Sequence, residues 1–362
     1  MFMKKITYVI LLIISILALS ACESKAEVYS INFFDYMDTF INVQIYTDDE
    51  DLAKDLFDDI EKVYALYHDL TTGYEPLKED SPYLANIYSI NQTLNERIEI
   101  DEPLYNILID AEEIKALTNG YFDVSVGKIV DVWKNVILDE NDGFLFEEIP
   151  QDTYDQVILA LAEIDIVLNP FTLENEDGKF YITINHEDVK IDLGAFSKGY
   201  ATERAHEILK EAGIRHYSVT AGSSSISLGE NAGRETGLYH VSLANPVRKG
   251  LDDRSYGMIK VQNLSVTTSG NYEQYALYND LRYHHIISPI TKLPMQYYHT
   301  VTILGSDAGF LDAVSTALFS MEPEVFDAWF DTHKDAYQLE IIRFNYDETV
   351  STFLSQTIFE EN

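Results

Sequence analysis

Helical and strand-like periodicities fall in separate blocks along this chain, and that separation limits what it can fold into. Leu52, Leu56, Ile60, Val63 and Tyr67 recur at helical spacing and so share one helix face. Leu104, Leu108, Ala111 and Ile114 mark a second helix, ended by Asn119-Gly120. A third runs from Lys198 to Ala212 through Tyr200, Ala205, Ile208 and Leu209 and stops at Gly213. From His216 to His299 the pattern shortens to alternating runs such as Tyr239-His-Val-Ser-Leu and Met258-Ile-Lys-Val between turn residues; Asp307–Met321 then returns to helical spacing. Blocks of this kind predict an α+β fold of mixed helices and antiparallel strands. No repeat, low-complexity run or long Pro/Gly/Ser linker divides the chain, so one compact unit is expected over residues 29–362.

The N-terminus predicts an export route. Lys4 and Lys5 precede an almost wholly apolar run from Ile6 to Leu19, and Leu19-Ser20-Ala21-Cys22 follows. A run this short, meeting small residues and a cysteine, reads as a lipoprotein signal over residues 1–21 rather than a membrane span, which needs roughly 20 apolar residues. Residues 22–28 would then be a short tether, with Cys22 the lipid-bearing residue and the protein anchored to the cell membrane on its extracytoplasmic side. Cys22 is the only cysteine, so no internal disulfide can form. The leader carries Lys4 and Lys5, so its removal takes the net charge from −36 to −38. Such a surface repels phosphate backbones and anionic headgroups, which argues against nucleic-acid binding.

Against that acidity, "IDLGAFSKGYATERA" (Ile191–Ala205) sets two glycines and Lys198 at the mouth of a helix, an arrangement suited to phosphate. Its spacing fits neither GxxxxGK[ST] nor GxGxxG. Three later stretches carry further candidate chemistry. "SVTTSGNYEQY" (Ser265–Tyr275) offers hydroxyls and a turn, and is by itself an ordinary loop. In "RYHHIISPITKLP" (Arg282–Pro294), His284 and His285 are strand neighbours, so at most one faces a given pocket. In "GSDAGFLDAVSTALFSM" (Gly305–Met321), Asp312 and Thr316 lie four apart on one helix, stacking a carboxylate over a hydroxyl as a hard-cation site requires. A threonine bonding its own helix backbone is the structural alternative.

Taken in order, these stretches resemble the FAD:protein FMN transferases, the ApbE family of flavin transferases. The resemblance begins at "FFDYMDTFINVQIY" and passes through "YHDLTTGYEP", "IYSIN" and "TNGYFDVSVGKIVDVW" before "IDLGAFSKGYATERA", "VTTSGNYEQY", "HHIISPITKLP" and "LDAVSTALF". It implies an ApbE-like, T-fold-related architecture. It also implies Mg²⁺-dependent transfer of FMN from FAD to a Thr or Ser hydroxyl of an exported flavoprotein acceptor, with release of AMP. By the same resemblance Asp192 and Lys198 contact FAD, while the Ala195 carbonyl, Asp312 and Thr316 hold the metal. Met37, Asn91 and Tyr121-Phe122-Asp123 would contact the flavin, and His285 would act as general base or phosphate orienter, with His284 facing away. The glycines would let the Ala195 carbonyl approach a cation closely.

This chain departs from the pattern at three places. Gly222-Ser223-Ser224-Ser225 stands where the family carries GGD, Ser288 replaces the Asp of HIIDP, and Lys292 replaces the Gly of its TG pair. Lys292 is expected to help hold phosphate. Two other functions use the same residues: a metal-dependent FAD pyrophosphatase releasing FMN and AMP to water, and a non-catalytic FAD-binding lipoprotein.

Overall fold

In the computed structural model, residues 27–138, 148–248 and 253–362 are described. Cys22, the signal segment and most of the expected tether lie outside them. β1 (Glu27–Phe33) and β2 (Ile41–Thr47) form an antiparallel hairpin, with Glu27 opposite Thr47 and Phe33 opposite Ile41. Along β2 the alternation is strict: Ile41, Val43 and Ile45 are fully buried and the residues between them are half exposed.

The helices expected at the first two apolar faces are α1 (Glu50–Thr71) and, after a short α2 (Ile87–Ile90) and β3 (Ile98–Ile100), α3 (Glu102–Leu117). Asp49 caps α1 by accepting from the Leu52 N–H, satisfying a donor the first turn would otherwise leave unpaired. α4 (Gly127–Ile137), α5 (Gln151–Ala162), β4 (Phe171–Glu176) and β5 (Lys179–Ile184) follow, then α6 (Ser197–Glu211), the expected third helix. The remaining chain is β6 (Tyr217–Ala221), β7 (Ser225–Leu228), β8 (Tyr239–Ala244), β9 (Ser255–Val261), β10 (Leu264–Gly270), β11 (Tyr275–Tyr278), β12 (Leu281–His284), β13 (Tyr298–Gly305), α7 (Ala308–Ser320), α8 (Pro323–Tyr337), β14 (Glu340–Asn345), β15 (Val350–Phe353) and β16 (Ile358–Glu361).

The α+β class holds, but the strands are not confined to one block. The main sheet is eight-stranded in the order β1-β2-β6-β7-β10-β13-β14-β15, drawing on both ends of the described chain. "LSVTTSG", which in isolation reads as a loop, is the central strand β10. Every residue of β13 is buried because both faces of the sheet are covered. Ile303 and Ile341 face a large core shared with the helices. Their neighbours Leu304 and Ile342 face a second core closed by the small sheet β16-β9-β8, with Tyr256, Ile259 and Phe344. A third cluster, around Trp133, Val157, Tyr278 and Ile287, fixes α4 and α5 to the β11–β12 hairpin.

On the helical face, α6 packs against both α1 and α7, and α7 lies on β10 and β13. Eleven of the thirteen residues of α7 are buried, so this helix is the center of the fold rather than an amphipathic cover.

The C-terminal strands are held by one carboxylate. Glu340, fully buried, accepts from the Ser355 N–H and hydroxyl at 2.9 and 2.6 Å, from Gln356 N–H at 2.6 Å and from Thr357 N–H at 3.3 Å. Burial alone would raise its pKa, but these donors outweigh burial and hold it below the ordinary value of 4.5. A depressed pKa means that the clamp is fully effective above the unfolded value and is lost as pH falls through the folded one. Glu340→Gln should therefore destabilise the protein by about 1.5–3 kcal/mol at neutral pH. In urea titrations, its gap from wild type should stay constant above pH 5 and shrink as the pH is lowered further.

Candidate active site

The loop between β5 and α6, the end of α1, the β1–β2 turn and one face of α7 enclose a cleft of about 520 Å³, within the range of small-molecule sites. Met37, Tyr121, Phe122, Asp123, Asp192, Ala195, Lys198, His285, Asp312 and Thr316 all line it. The sequence-expected residues thus converge from five separate segments. Cys22 falls outside the described residues, and Asn91 is not in the cleft wall. Its amide instead clamps the backbone of Ile191, donating to the carbonyl and accepting from the N–H, both at 2.8 Å. Asn91 therefore positions the segment that delivers Asp192, and its amide is committed to backbone rather than presented to the cleft.

Asp312 is the center of the site. It projects from a largely apolar, buried helix, where an ionised carboxylate needs partners. One oxygen accepts from the Gly199 N–H at 2.8 Å. Burial raises its pKa to about 6, against the lowering influence of Lys198 and the Gly199 N–H. Gly199 is obligatory for a steric reason: a Cβ there would lie 2.4 Å from the Asp312 Cβ and 2.5 Å from the Ala308 carbonyl. The glycine thus serves the approach of α6 to α7 rather than the approach of the Ala195 carbonyl to a cation. Gly194 has no positive φ; its N–H donates to Asp192 Oδ1 at 2.7 Å, closing the turn.

The oxygen donors suit a hard cation. Among the described residues no hydrogen bond ends on the Ala195 carbonyl, and one Asp312 oxygen is left over. The Thr316 hydroxyl donates to the Asp312 carbonyl at 3.2 Å and keeps its lone pairs. Among the described residues no group of three or more His, Cys, Asp or Glu is placed to hold a metal ion, so the oxygen donors here are one side-chain carboxylate, one hydroxyl and one carbonyl. One carbonyl, one carboxylate and one hydroxyl fit Mg²⁺, which retains waters and phosphate oxygens in its shell.

Three lysines reach the cleft and differ in availability. Lys134 pairs with Asp192 at 3.4 Å and Lys190 with Asp131 at 2.5 Å. Among the described residues Lys198 has no carboxylate within 4.0 Å, and its ammonium donates only to the Gly194 carbonyl at 3.3 Å. It is the cation free for an anionic ligand.

His285 is held from the neighbouring strand: its N–H and its Nδ1 both address the Gln274 carbonyl, at 3.1 and 3.4 Å. A carbonyl only accepts, so Nδ1 carries the proton and Nε2 the lone pair. Burial, with Lys198 and Lys134 nearby, lowers its pKa to about 4 despite the opposing carbonyl, so the ring is neutral. His284 points away as expected, fully buried with Nε2 on the Met295 carbonyl at 2.9 Å and its ring edge-on to Phe319.

Other expected contacts are committed elsewhere. Asp123 is buried against Lys115 at 2.8 Å and accepts from the Ser125 N–H and hydroxyl. Phe122 packs on Phe196, leaving Tyr121 as the ring of that segment with exposed surface. Lys292 does not reach the cleft. Its ammonium caps α5 on the Leu161 and Ile164 carbonyls at 3.0 and 2.5 Å, and its backbone takes the left-handed φ of 62° that favours glycine. Ser288 is buried below the surface.

Reasoning from sequence missed His68, Tyr74 and Lys134. Met37 and Asp38 adopt positive φ of 55° and 50°, and the Met37 N–H donates to His68 Nδ1 at 3.0 Å, holding the turn over the cleft. Tyr74 lies under the Lys134 ammonium. For His68 and Tyr74 the available signal was "YHDLTTGYEP", a polar run beginning at the end of α1 and continuing past it.

A family model described as the ApbE family matches residues 37–339. The chain belongs to the ApbE family. The curated FAD:protein FMN transferase of Haemophilus influenzae is 26% identical over 318 residues, covering 88% of this chain and 87% of the relative. That of Escherichia coli (strain K12) is 26% identical over 227 residues, 62% of this chain and 61% of its own length. Among solved structures, the ApbE protein of Thermotoga maritima superposes with a TM-score of 0.70 at 23% identity, covering 90% of this chain and 97% of the other. The flavin transferase ApbE of Vibrio cholerae gives 0.68 at 22%, covering 91% and 98%. These two similarities establish the shared fold as a single α+β unit.

Gly199→Ala should separate α6 from α7 because the neighbours it meets are a Cβ and a backbone carbonyl. A loss of about 1–3 kcal/mol is expected in denaturant titration. Gly194→Ala, whose Cβ meets only the Asp192 carboxylate oxygen, should cost less.

Proposed function

We propose that this protein is an FAD:protein FMN transferase, moving FMN from FAD to a Thr or Ser hydroxyl of an exported flavoprotein acceptor and releasing AMP. The observation that carries this reading is the meeting, in one cleft, of the buried Asp312 carboxylate, the unpaired Lys198 ammonium and the neutral His285 ring. Family membership and the names of the curated relatives support it.

Ala195, Asp312 and Thr316 would hold Mg²⁺, which when bound supplies charge neutralisation at the pyrophosphate. Lys198 adds positive charge beside it, where phosphoryl transfer spreads negative charge over the equatorial oxygens. Tyr121 and the Met37 turn bound the flavin end. The His285 Nε2 lone pair accepts a hydrogen bond from the incoming hydroxyl and orients its oxygen toward phosphorus. Asp192, fixed by Gly194 and Lys134, keeps the α6 entrance in place.

The test is to incubate the protein with FAD, Mg²⁺ and candidate acceptor proteins, denature, and look for flavin fluorescence on the acceptor band. His285→Ala should lower kcat by about 10²-fold or more with little change in FAD affinity. Asp312→Ala should remove the Mg²⁺ dependence together with the activity. Free FMN without labelled acceptor would instead identify a pyrophosphatase, and bound but intact FAD a carrier.

We further propose that Cys22 bears the lipid that anchors the mature protein outside the cytoplasmic membrane. Among the described residues no helix is long and apolar enough to cross a membrane. A single acyl chain holds a protein only marginally, so at least two are expected. Cys22→Ala should leave the protein unprocessed or release it from the membrane fraction; a processed variant that stays membrane-bound would contradict this.

A further inference from the structure

The turn joining β6 to β7 places an exposed serine against a carboxylate in the cleft wall. Gly222 takes φ of 66°, its N–H donates to the Phe40 carbonyl at 2.8 Å, and its open Cα side lies on Thr39. A Cβ there would meet the Thr39 hydroxyl at 2.5 Å, so the turn cannot back away from the site without losing this packing. It presents Ser223, whose hydroxyl donates to Glu273 Oε1 at 2.7 Å. Both residues line the cleft and both are exposed.

The other cleft hydroxyls with side-chain hydrogen bonds are turned to other partners. Thr71 donates to the Tyr67 carbonyl and Thr316 to the Asp312 carbonyl, Thr72 accepts from the Tyr74 N–H, and Ser269 pairs with Ser315 and Thr268 with Thr302. Among the described residues Ser223 alone of the serines and threonines lining the cleft holds a carboxylate side chain. The carboxylates differ in the same way. Asp123 and Asp192 face lysines and Asp312 faces the Gly199 N–H, whereas among the described residues neither Glu273 nor Asp38 pairs with a cation within 4.0 Å, and of these two only Glu273 holds a hydroxyl. The pair also adjoins the phosphate-handling end, because Glu273 precedes Gln274, whose carbonyl holds His285, and His285 in turn feels Lys198. A hydroxyl whose proton already rests on a carboxylate is arranged as an activated nucleophile is.

We propose that Ser223 is itself an acceptor and that this protein attaches FMN to its own chain; the proposal rests on the transferase reading above. Ser223 Oγ attacks the FMN phosphorus of bound FAD, forming the Oγ–P bond. The bond from that phosphorus to the bridging pyrophosphate oxygen breaks, and AMP leaves with the electron pair. The hydroxyl proton passes to Glu273 and then to solvent. The product is a serine phosphodiester of FMN that keeps its flavin inside the cleft where the next FAD must bind, so self-labelling should accumulate when acceptor is scarce and should block the modified molecules.

The experiment is to incubate the full chain with FAD and Mg²⁺ without acceptor, denature, and measure intact mass, peptide map and released AMP, with a parallel reaction containing an acceptor protein. The expected result is an adduct of FMN less one water on the peptide containing Ser223, with AMP in equal amount. The adduct should vanish in Ser223→Ala and form at least about tenfold more slowly in Glu273→Gln. Labelled acceptor in the parallel reaction together with a chain that stays unlabelled when no acceptor is present, or an adduct mapping to another residue, would overturn the self-modification while leaving the transferase reading intact. Neither labelled, with no AMP, would overturn both. Mapping on the wild-type chain decides the question even if a variant fails to fold.

Discussion

The close contact between α6 and α7 is the constraint on which the site depends. The Gly199 N–H reaches the Asp312 carboxylate only because no side chain separates the two helices, and that donor together with the Lys198 ammonium favours the ionised form of a buried carboxylate. α7 cannot shift to relieve the contact, since it is buried on nearly every face against β10, β13 and α6. The eight-stranded sheet, packed on both sides, supplies the rigidity. Preorganisation of this kind lets a site favour the charge distribution of a transition state without reorganising during the reaction.

Around that fixed carboxylate the other groups arrive on separate elements, each locked by a bond unrelated to chemistry. Asn91 fixes Ile191, His68 fixes Met37, and the Gln274 carbonyl fixes His285. The protein is strongly acidic overall, yet Lys134, Lys190 and Lys198 converge on the cleft. Local cations of this kind allow a pyrophosphate substrate to enter a molecule whose net charge would repel it.

Much of this was legible in the sequence. The faces of α1, α3 and α6 and the helical state of α7 followed from apolar spacing, and the pairing of Asp312 with Thr316 followed from their separation of four on a helix. Less was legible where a residue's role depends on a distant partner. Asn91 looks like a cleft residue until its amide is seen on Ile191, a hundred positions away. Lys292 looks like a phosphate ligand until its ammonium is found on the end of α5. Strand β10 was obscured by its threonines and serines, most of which are buried because both faces of the sheet are covered, and of which Ser265 and Thr268 pair across strands. The purpose of Gly199 was hidden because the sequence shows a flexible position but not the helix that fills its empty side.

The central claim is that Ala195, Asp312 and Thr316 hold a divalent cation against the pyrophosphate of FAD. The most direct measurement is anomalous diffraction from crystals of the protein soaked with Mn²⁺ and FAD. The account predicts one anomalous peak within coordination distance of the Ala195 carbonyl, an Asp312 carboxylate oxygen and the Thr316 hydroxyl, with phosphate oxygens completing its shell and the flavin toward Tyr121. A peak elsewhere in the cleft, or FAD bound with its pyrophosphate remote from Asp312, would contradict it.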